Sequence, residues 1–323
     1  MDPHGTDAPA PMAGVDAAGV ARRVAEAVGR TVSGNQAAIE ASITTLLAGG
    51  HLLLEDVPGV GKTTLAKALA GAMSADVKRV QFTSDMLPTD VTGLSIYDRD
   101  AHEFAFHPGP VFTHMLIGDE INRATPKTQS ALLEAMGEHS VTVDGRTHTL
   151  PELFTVVATQ NPHDMEGTFP LPEAQRDRFM TRISLGYPDA QSEAAMITRP
   201  DDRAAHTAVA SVDEMIAARR QVAQTRLAPE VAEYLVALVT ATRAHDGLTL
   251  GASPRAGLHL AAMAKARAAT QGRDYVSPDD IARLADTVLT HRLVPRGHHA
   301  TATAAHRAGA AIVADIVART PAP

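Results

Sequence analysis

Residues 52–63 read LLLEDVPGVGKT, an apolar run followed directly by a glycine-containing loop. The loop matches the phosphate-binding pattern G-x-x-x-x-G-K-[ST] except at its first position, where Asp56 replaces glycine. Gly59 and Gly61 allow the backbone to turn its N–H groups toward phosphate oxygens. The N-terminal end of a following helix would favour the same negative charge. This stretch therefore predicts a buried parallel strand, a phosphate-binding loop and a helix, in that order.

Two side chains of the loop are expected to carry its chemistry. Lys62 can reach the β- and γ-phosphates of ATP, and the hydroxyl of Thr63 can bind Mg²⁺. Because aspartate tolerates unusual backbone angles, we expect Asp56 to fill a turn position that glycine usually takes. The nucleotide-binding residues predicted from this segment are Pro58, Gly59, Val60, Gly61, Lys62, Thr63 and Thr64.

Two further apolar runs end in polar residues that suit an ATP site. Residues 115–120 read MLIGDE, so that Asp119 could hold Mg²⁺ and Glu120 could activate the attacking water. Residues 154–162 read FTVVATQNP, and Asn161 at the end of this strand could bind the γ-phosphate or the water. Each pattern has a plain alternative, because strands often end in solvated acids and Asn-Pro often starts a turn. The phosphate-binding loop is the observation that favours an ATP site over these alternatives.

Arginines in two other segments are candidates for contact with an anion. Residues 172–179 read PEAQRDRF, and an exposed arginine near a subunit interface can act as an arginine finger. The alternative for this segment is a solvated helix face. Ser253 and Pro254 mark a helix start, which places Arg255 in the first turn, where the helix dipole disfavours a cation. An anionic partner such as ATP would explain Arg255, and an ordinary surface arginine is the alternative.

The order of strands and helices predicts an α/β fold. Apolar strands alternating with helical stretches imply a parallel sheet with helices on both faces. Two hairpins are predicted to interrupt the pattern, Ser140–Leu150 around Asp144-Gly145 and, more weakly, Leu94–His107. The segments after about residue 200 that read as helices are 211–224, 229–245, 254–270, 278–293 and 301–318. We therefore expect a disordered tail over 1–14, an α/β nucleotide-binding domain over 15–200 and an all-helical domain over 201–323.

Composition restricts the kinds of site and partner. The 323 residues include no cysteine, which excludes disulfides, iron–sulfur clusters and thiolate zinc sites. The formal net charge of −8 argues against nucleic acid as the main partner. No apolar run approaches the roughly 18 residues of a membrane span, so we expect a soluble, cytoplasmic chain. The C-terminal histidines that we interpret as surface residues are His291, His298, His299 and His306.

From about Val32 to Arg292 the chain resembles a MoxR-type AAA+ ATPase. The segments that carry the resemblance are LLEDVPGVGKT (53–63), QFTSDMLP (81–88), GDEINRA (118–124), PKTQSALLEAM (126–136), ATQNP (158–162), EGTFPLPEAQ (166–175) and SPR (253–255). The resemblance implies an AAA+ core with a helical lid. It identifies the Leu94–His107 hairpin as the helix-2 insertion and the Ser140–Leu150 hairpin as the pre-sensor-1 insertion.

The resemblance also implies roles for individual residues. Asn161 corresponds to sensor 1, Arg255 to sensor 2, and Arg178 to an arginine finger that acts on a neighbouring subunit. Arg176 stands where the family usually has leucine, so that both arginines of this segment are candidates for the finger. With Lys62 and Glu120, the residues Asn161 and Arg178 form the predicted catalytic set.

The function implied by the resemblance is Mg²⁺-dependent ATP hydrolysis in a ring, commonly a hexamer. Members of the family are thought to remodel protein clients, often partners with von Willebrand factor A domains. Two alternatives stay open within the same superfamily, a nucleic-acid motor and a metal-chelatase subunit.

Overall fold

A computed structural model of the chain describes residues 15–32, 35–57, 59–161, 167–187, 190, 193–194, 198 and 207–323. Its α-helices are α1 (Ala17–Thr31), α2 (Gln36–Leu47), α3 (Lys62–Ala72), α4 (Pro88–Thr92), α5 (Pro126–Glu138), α6 (Glu173–Arg176), α7 (Val212–Gln224), α8 (Pro229–Ala244), α9 (Pro254–Thr270), α10 (Pro278–Leu289) and α11 (Ala302–Arg319). Its strands are β1 (Leu52–Glu55), β2 (Val77–Gln81), β3 (Gly93–Asp98), β4 (Glu103–Pro108), β5 (Met115–Asp119), β6 (Ser140–Val143), β7 (Arg146–Thr149), β8 (Thr155–Gln160), β9 (Thr181–Ile183), β10 (Leu248–Leu250) and β11 (Val294–Pro295). The predicted tail and the predicted domain boundary at residue 200 lie outside the described residues.

Five parallel strands form the central sheet in the order β2-β5-β8-β1-β9. The α/β prediction is therefore confirmed, and β1, β5 and β8 are the three strands that the apolar runs predicted. The sequence analysis missed β2 and β9. The first is an edge strand reading VKRVQ, whose residues are exposed except Val80, and the second has only three residues. Neither carries the long apolar run that marks a central strand.

Helices cover both faces of the sheet because the apolar strands alternate their side chains between them. On β1, Leu52 and Leu54 pack into one core with α1, α2, α3 and α7. Leu53 points to the opposite face and packs into a second core with Phe82, Phe154 and residues of α5. The carboxyl ends of the strands are left free of this packing, at one edge of the sheet.

Both predicted hairpins are present. Strands β3 and β4 pair antiparallel from Gly93–Pro108 to Asp98–Glu103, and β6 and β7 pair around Asp144-Gly145. Asp144 and Gly145 have φ of 50° and 75°, the left-handed conformation that a two-residue hairpin turn requires.

Helices α8 to α11 surround a third core of their own, which confirms the helical lid. A short antiparallel pair, β10 and β11, joins Leu248–Leu250 to Val294–Pro295 within it. Helix α7 differs from the other C-terminal helices, because all of its buried side chains pack into the core around α1 and α2, whereas α9 contributes both to that core and to the lid core. Within the described part of the chain, no helix has the length and apolar character needed to cross a membrane.

Candidate nucleotide-binding site

The loop between β1 and α3 has the conformation expected of a phosphate-binding loop. Gly59 and Gly61 have φ of 85° and 92°, in the left-handed region that glycine adopts without strain. Gly61 caps α3 without any side-chain hydrogen bond, so the first N–H groups of the helix are open to an external anion. Nζ of Lys62 donates to the carbonyl oxygens of Asp56 and Val57, at 2.6 and 2.8 Å. The lysine is thus held over the loop.

Asp56 has a different role from the one expected. It does not have positive φ, so it does not take over a glycine conformation. Its carboxylate accepts hydrogen bonds from the backbone N–H of Gly186 at 2.6 Å, the hydroxyl of Ser184 at 2.8 Å and the N–H of Val57 at 2.8 Å. Burial by itself would raise the pKa of Asp56, but these hydrogen bonds lower it below its usual value. Asp56 therefore ties the phosphate loop to the segment that follows β9.

Asp119 lies at the end of β5, directly beside the phosphate loop. Its Oδ1 accepts from the hydroxyls of Thr63 at 3.1 Å and Thr159 at 3.2 Å, and its Oδ2 accepts from Nε of Arg79 at 2.6 Å. The side chain is only 6% exposed. Adjacent hydroxyl and carboxylate oxygens are the donor set that Mg²⁺ prefers, so Thr63 and Asp119 fit a Mg²⁺ ion bound with a nucleotide.

Glu120 follows in an unusual backbone conformation, with φ of 57° and ψ of 50°. Its carboxylate accepts from Nε of Arg123 at 2.7 Å and from Nε2 of Gln81 at 3.0 Å. Its backbone N–H donates to the hydroxyl of Thr159 at 3.1 Å. A non-glycine residue in this region costs about 1–2 kcal/mol, and such strain is often found at functional sites. This backbone conformation places the Glu120 side chain in the lining of the cleft at the end of β5.

A cavity of about 350 Å³ opens where these elements meet. The predicted site residues that line it are Gly59, Gly61, Lys62, Thr63, Thr64, Asp119, Glu120 and Asn161. Val60 instead packs partly against the core below the loop, and Pro58 lies outside the described residues. Burial lowers the pKa of Lys62, an effect that the nearby carboxylates Asp56, Asp119 and Glu120 oppose.

Arg178 lies away from this cavity in the same chain. Its Nη1 donates to the carbonyl oxygen of Leu133 at 2.7 Å, near the C-terminal end of α5. A Cβ built on Gly137 would lie 1.9 Å from that nitrogen, so the guanidinium occupies the space that this glycine leaves open.

Arg255 also lies apart from the cavity, where it faces a carboxylate of the segment between α6 and β9. Its Nη1 is 3.7 Å from Oδ2 of Asp177, the residue before Arg178. The same carboxylate accepts from the hydroxyl of Ser253 at 2.9 Å and from Nε of Arg292 at 2.9 Å. Asp177 thus connects the segment carrying Arg178 to the first turn of α9 in the lid.

Sequence reasoning missed four residues that contact the two carboxylates, namely Arg79, Gln81, Arg123 and Thr159. Arg79 and Gln81 alternate along β2 on the side facing the site, and Thr159 precedes Gln160 and Asn161 on β8. Each is a polar residue on an edge strand or near the end of a strand, where polar side chains are common and therefore carry no special signal. Recognising them from the sequence requires knowing that β5 lies between β2 and β8.

The interpretation of His291 as a surface residue is wrong. Its side chain is buried, and its Nε2 lies 3.1 Å from the carbonyl oxygen of Phe179. Burial, the neighbouring Arg292 and more distant arginines hold the pKa of His291 well below its usual value. Among the described residues, no group of three or more histidine, aspartate or glutamate side chains is arranged to hold a metal ion.

Two protein-family models match this chain, one in the α/β domain and one in the helical lid. Residues 51–181 match the ATPase family associated with various cellular activities (AAA), and residues 240–316 match the AAA lid domain. A crystal structure reported as a candidate ATPase of Cytophaga hutchinsonii superposes with a TM-score of 0.83 at 36% identity, covering 94% of this chain and 95% of that one.

Two relatives are similar over most of their length. YeaC of Bacillus subtilis (strain 168), an uncharacterized protein, is 46% identical over 84% of this chain and 86% of its own. Chaperone MoxR1 of Mycobacterium tuberculosis is 41% identical over 83% of this chain and 74% of its own.

Proposed function

The chain belongs to the MoxR family of AAA+ ATPases, and from that premise we propose that it hydrolyses ATP with Mg²⁺ in a ring of subunits and so remodels protein clients. One observation carries the proposal. Lys62 and Thr63 follow the loop after β1, Asp119 and Glu120 lie at the end of β5 and Asn161 at the end of β8, yet all five line a single cavity. A phosphoryl-transfer site needs this combination, because its catalysis consists mainly of positioning and charge stabilisation.

Each residue has a separate task in the proposed reaction. The open N–H groups at Gly61 and the ammonium group of Lys62 bind the phosphates. Thr63 and Asp119 hold the metal, and Glu120 orients and deprotonates the attacking water. Asn161, buried at the end of β8, contacts the γ-phosphate or that water. Bound ATP and Mg²⁺ would supply the transferred phosphoryl group and neutralise its developing charge.

We propose that a second subunit completes the site. Within the described chain, neither Arg178 nor Arg255 lines the nucleotide cavity, and an arginine supplied by a neighbouring subunit is a known way to stabilise the charge of the transition state. In the proposed arrangement Arg178, held on α5, and Arg255, held by Asp177, face the nucleotide of a neighbouring subunit. This arrangement supports a ring, and we propose a hexamer.

The proposed clients are proteins, including partners with von Willebrand factor A domains. The relative named chaperone MoxR1 supports a protein client. The β3–β4 hairpin supports it as well, because it exposes apolar side chains, with Phe104 68% exposed and Ile96 and Tyr97 each 47% exposed. Exposed apolar surface of this kind commonly marks a site of protein contact.

The experiment is to purify the Glu120→Gln variant with ATP and Mg²⁺ and identify what stays bound. We expect turnover to fall by about 10²-fold or more while ATP binding is kept, because glutamine preserves the shape of Glu120 but cannot take a proton. Lys62→Ala, which should lose ATP binding, is the control.

A protein enriched by the Glu120→Gln variant and not by Lys62→Ala would support the client proposal. If the enriched protein contains a von Willebrand factor A domain, the result would also support the proposed class of partner. Unchanged turnover in Glu120→Gln would contradict the catalytic assignment, and specific recovery of nucleic acid would contradict the protein-client proposal.

A further inference from the structure

A second cavity, of about 530 Å³, lies between the carboxyl end of β1, helix α6 and the start of α11. It adjoins the nucleotide cavity, since Gln160 lines both. The proposed ATPase reaction does not use it. The polar side chains of its lining include a group of four, Glu55, Arg176, Arg182 and His306, and its apolar residues include Leu53, Leu171, Leu293, Ala302 and Ala305.

Three of the four polar side chains are already paired with one another. Nη2 of Arg182 donates to Oε1 of Glu55 at 2.8 Å, and both side chains are largely buried. Nη1 of Arg182 lies 2.6 Å from Nε2 of His306. Because the guanidinium can only donate, that histidine nitrogen accepts, which requires the neutral ring. Burial and the charge of Arg182 lower the pKa of His306 to about 4, consistent with a neutral ring.

Arg176 is the unpaired member. Within the described ranges its side chain makes no hydrogen bond or ion pair, and its Nε is shielded from solvent. Glu173, one turn earlier in α6, is exposed at the rim of the cavity and makes no ion pair with it. Burial lowers the pKa of Arg176, while Glu173 and Glu55 oppose the shift. A largely buried cation without a partner is costly in a folded protein.

We propose that this cavity binds a small organic anion whose oxyanionic group pairs with Arg176. The Nη1 and Nη2 groups of Arg176, which have no hydrogen-bond partner among the described residues and are not enclosed as Nε is, offer planar donors that bind phosphate or carboxylate. The volume falls within the range of small-molecule sites, which are mostly apolar with few polar groups. The apolar body of the ligand packs against Leu171 and Leu293. Because the lining comes from both the core and α11, the ligand also fastens the C-terminal helix to the core.

The test is thermal unfolding of the full chain with three probes in the Lys62→Ala background, which weakens competing binding at the phosphate loop. The probes are inorganic phosphate, phenyl phosphate and benzoate. A ligand that binds only the folded state raises Tm. We expect phenyl phosphate or benzoate to raise Tm more than inorganic phosphate, because each adds an apolar body. The stronger of the two identifies the anionic group.

Arg176→Leu in the same background is the decisive variant. We expect it to raise Tm without any probe, since it removes an unpaired buried charge, and to weaken binding of the best probe about tenfold or more. Arg178→Leu, the same change two residues away, should leave probe binding intact. Arg176→Gln serves if the leucine variant does not fold.

Two results would overturn the proposal. One is that no probe raises the Tm of the Lys62→Ala protein. The other is that Arg176→Leu binds the probes as well as its parent does. Binding that is lost in Arg178→Leu and kept in Arg176→Leu would assign the anion to the proposed intersubunit edge instead.

Discussion

Both carboxylates of the proposed ATPase site are already held by cations of the same chain. Arg79 binds the oxygen of Asp119 that faces away from Thr63, and Arg123 binds Glu120. An ion bound by Thr63 and Asp119 would therefore meet a carboxylate whose charge is partly neutralised. Arg79 is 51% exposed and lies on an edge strand, so it can move aside at little cost. In the proposed site, Arg79 therefore competes with Mg²⁺ for the carboxylate of Asp119.

Replacing Arg79 by methionine should make the metal bind more tightly. A half-exposed ion pair is worth about 0.5–1 kcal/mol, so the Mg²⁺ concentration for half-maximal ATPase activity should fall about two- to fivefold. The measurement is ATP turnover against Mg²⁺ concentration. Lys78→Met is the matched control. Lys78 lies next to Arg79, and among the described residues its side chain hydrogen-bonds only to the carbonyl oxygen of Gly109. An equal or higher Mg²⁺ requirement in Arg79→Met would count against this competition.

Residues of the site differ in how far the sequence predicts them. Lys62 and Thr63 belong to one contiguous motif, and Asp119 and Glu120 directly follow an apolar run, so their chemistry is local in sequence. Arg79 belongs to a short polar strand whose partner is 40 residues away. Its role depends on the order of strands in the sheet, which local patterns do not encode.

Helix α5 is the element that positions the proposed finger. The Leu133 carbonyl holds the Arg178 guanidinium, and Gly137 leaves room for it. His51 fixes the same end of the helix to the sheet, since one ring nitrogen lies 3.2 Å from the Met136 carbonyl oxygen and the other accepts from the N–H of Val156 at 3.0 Å. The position of the Arg178 guanidinium is therefore set by the C-terminal end of α5.

Gly137→Ala should displace Arg178 without unfolding the chain. The added Cβ would contact only the end of a flexible side chain, which can move. If Arg178 is the finger, ATPase activity at high protein concentration should fall by about tenfold or more, while ATP affinity in the isolated subunit is unchanged. Gly29→Ala in α1 is the matched control, because a Cβ there meets nothing within 4 Å. Equal activity of the two variants would contradict the role of Arg178.

Buried histidines should make the fold sensitive to acid. Burial lowers the pKa of His51 to about 3, against 6.5 in its unperturbed state. Below pH 6.5 the unfolded chain therefore binds a proton that the folded chain does not, and stability decreases as pH falls toward 3. The loss is at most about 1.4 kcal/mol per pH unit for each such histidine. His259, with its pKa lowered to about 3 by burial and Arg292, acts in the same direction.

The measurement is Tm between pH 7 and pH 5 for the parent chain and for His51→Gln. Glutamine can still donate and accept but does not titrate, so the variant should lose less Tm over this interval. His298→Gln, at an exposed position, should leave the slope unchanged. Parallel curves for the parent and His51→Gln would show that His51 does not set the acid sensitivity.

The described residues form three hydrophobic cores, one on each face of the sheet and one within the lid. The strand-and-helix alternation in the sequence predicts the first two cores, and the run of amphipathic helices predicts the third. The packing of α7 with α1 and α2 could not be predicted, because it joins segments almost 200 residues apart, as in the ion pair between Arg23 and Glu214 at 2.7 Å. Likewise, the sequence places Asp177 and Arg255 in separate domains, and only the fold brings their side chains together.

In the proposed ring, one subunit binds ATP and its neighbour supplies Arg178. The decisive measurement is the ATPase activity of Lys62→Ala mixed with Arg178→Ala, since each variant lacks one half of the site and keeps the other. We predict that each alone is nearly inactive, and that the mixture regains ATPase activity that rises with protein concentration. A mixture that stays as inactive as its components, at concentrations where both assemble with the parent chain, would show that the site is not shared between subunits.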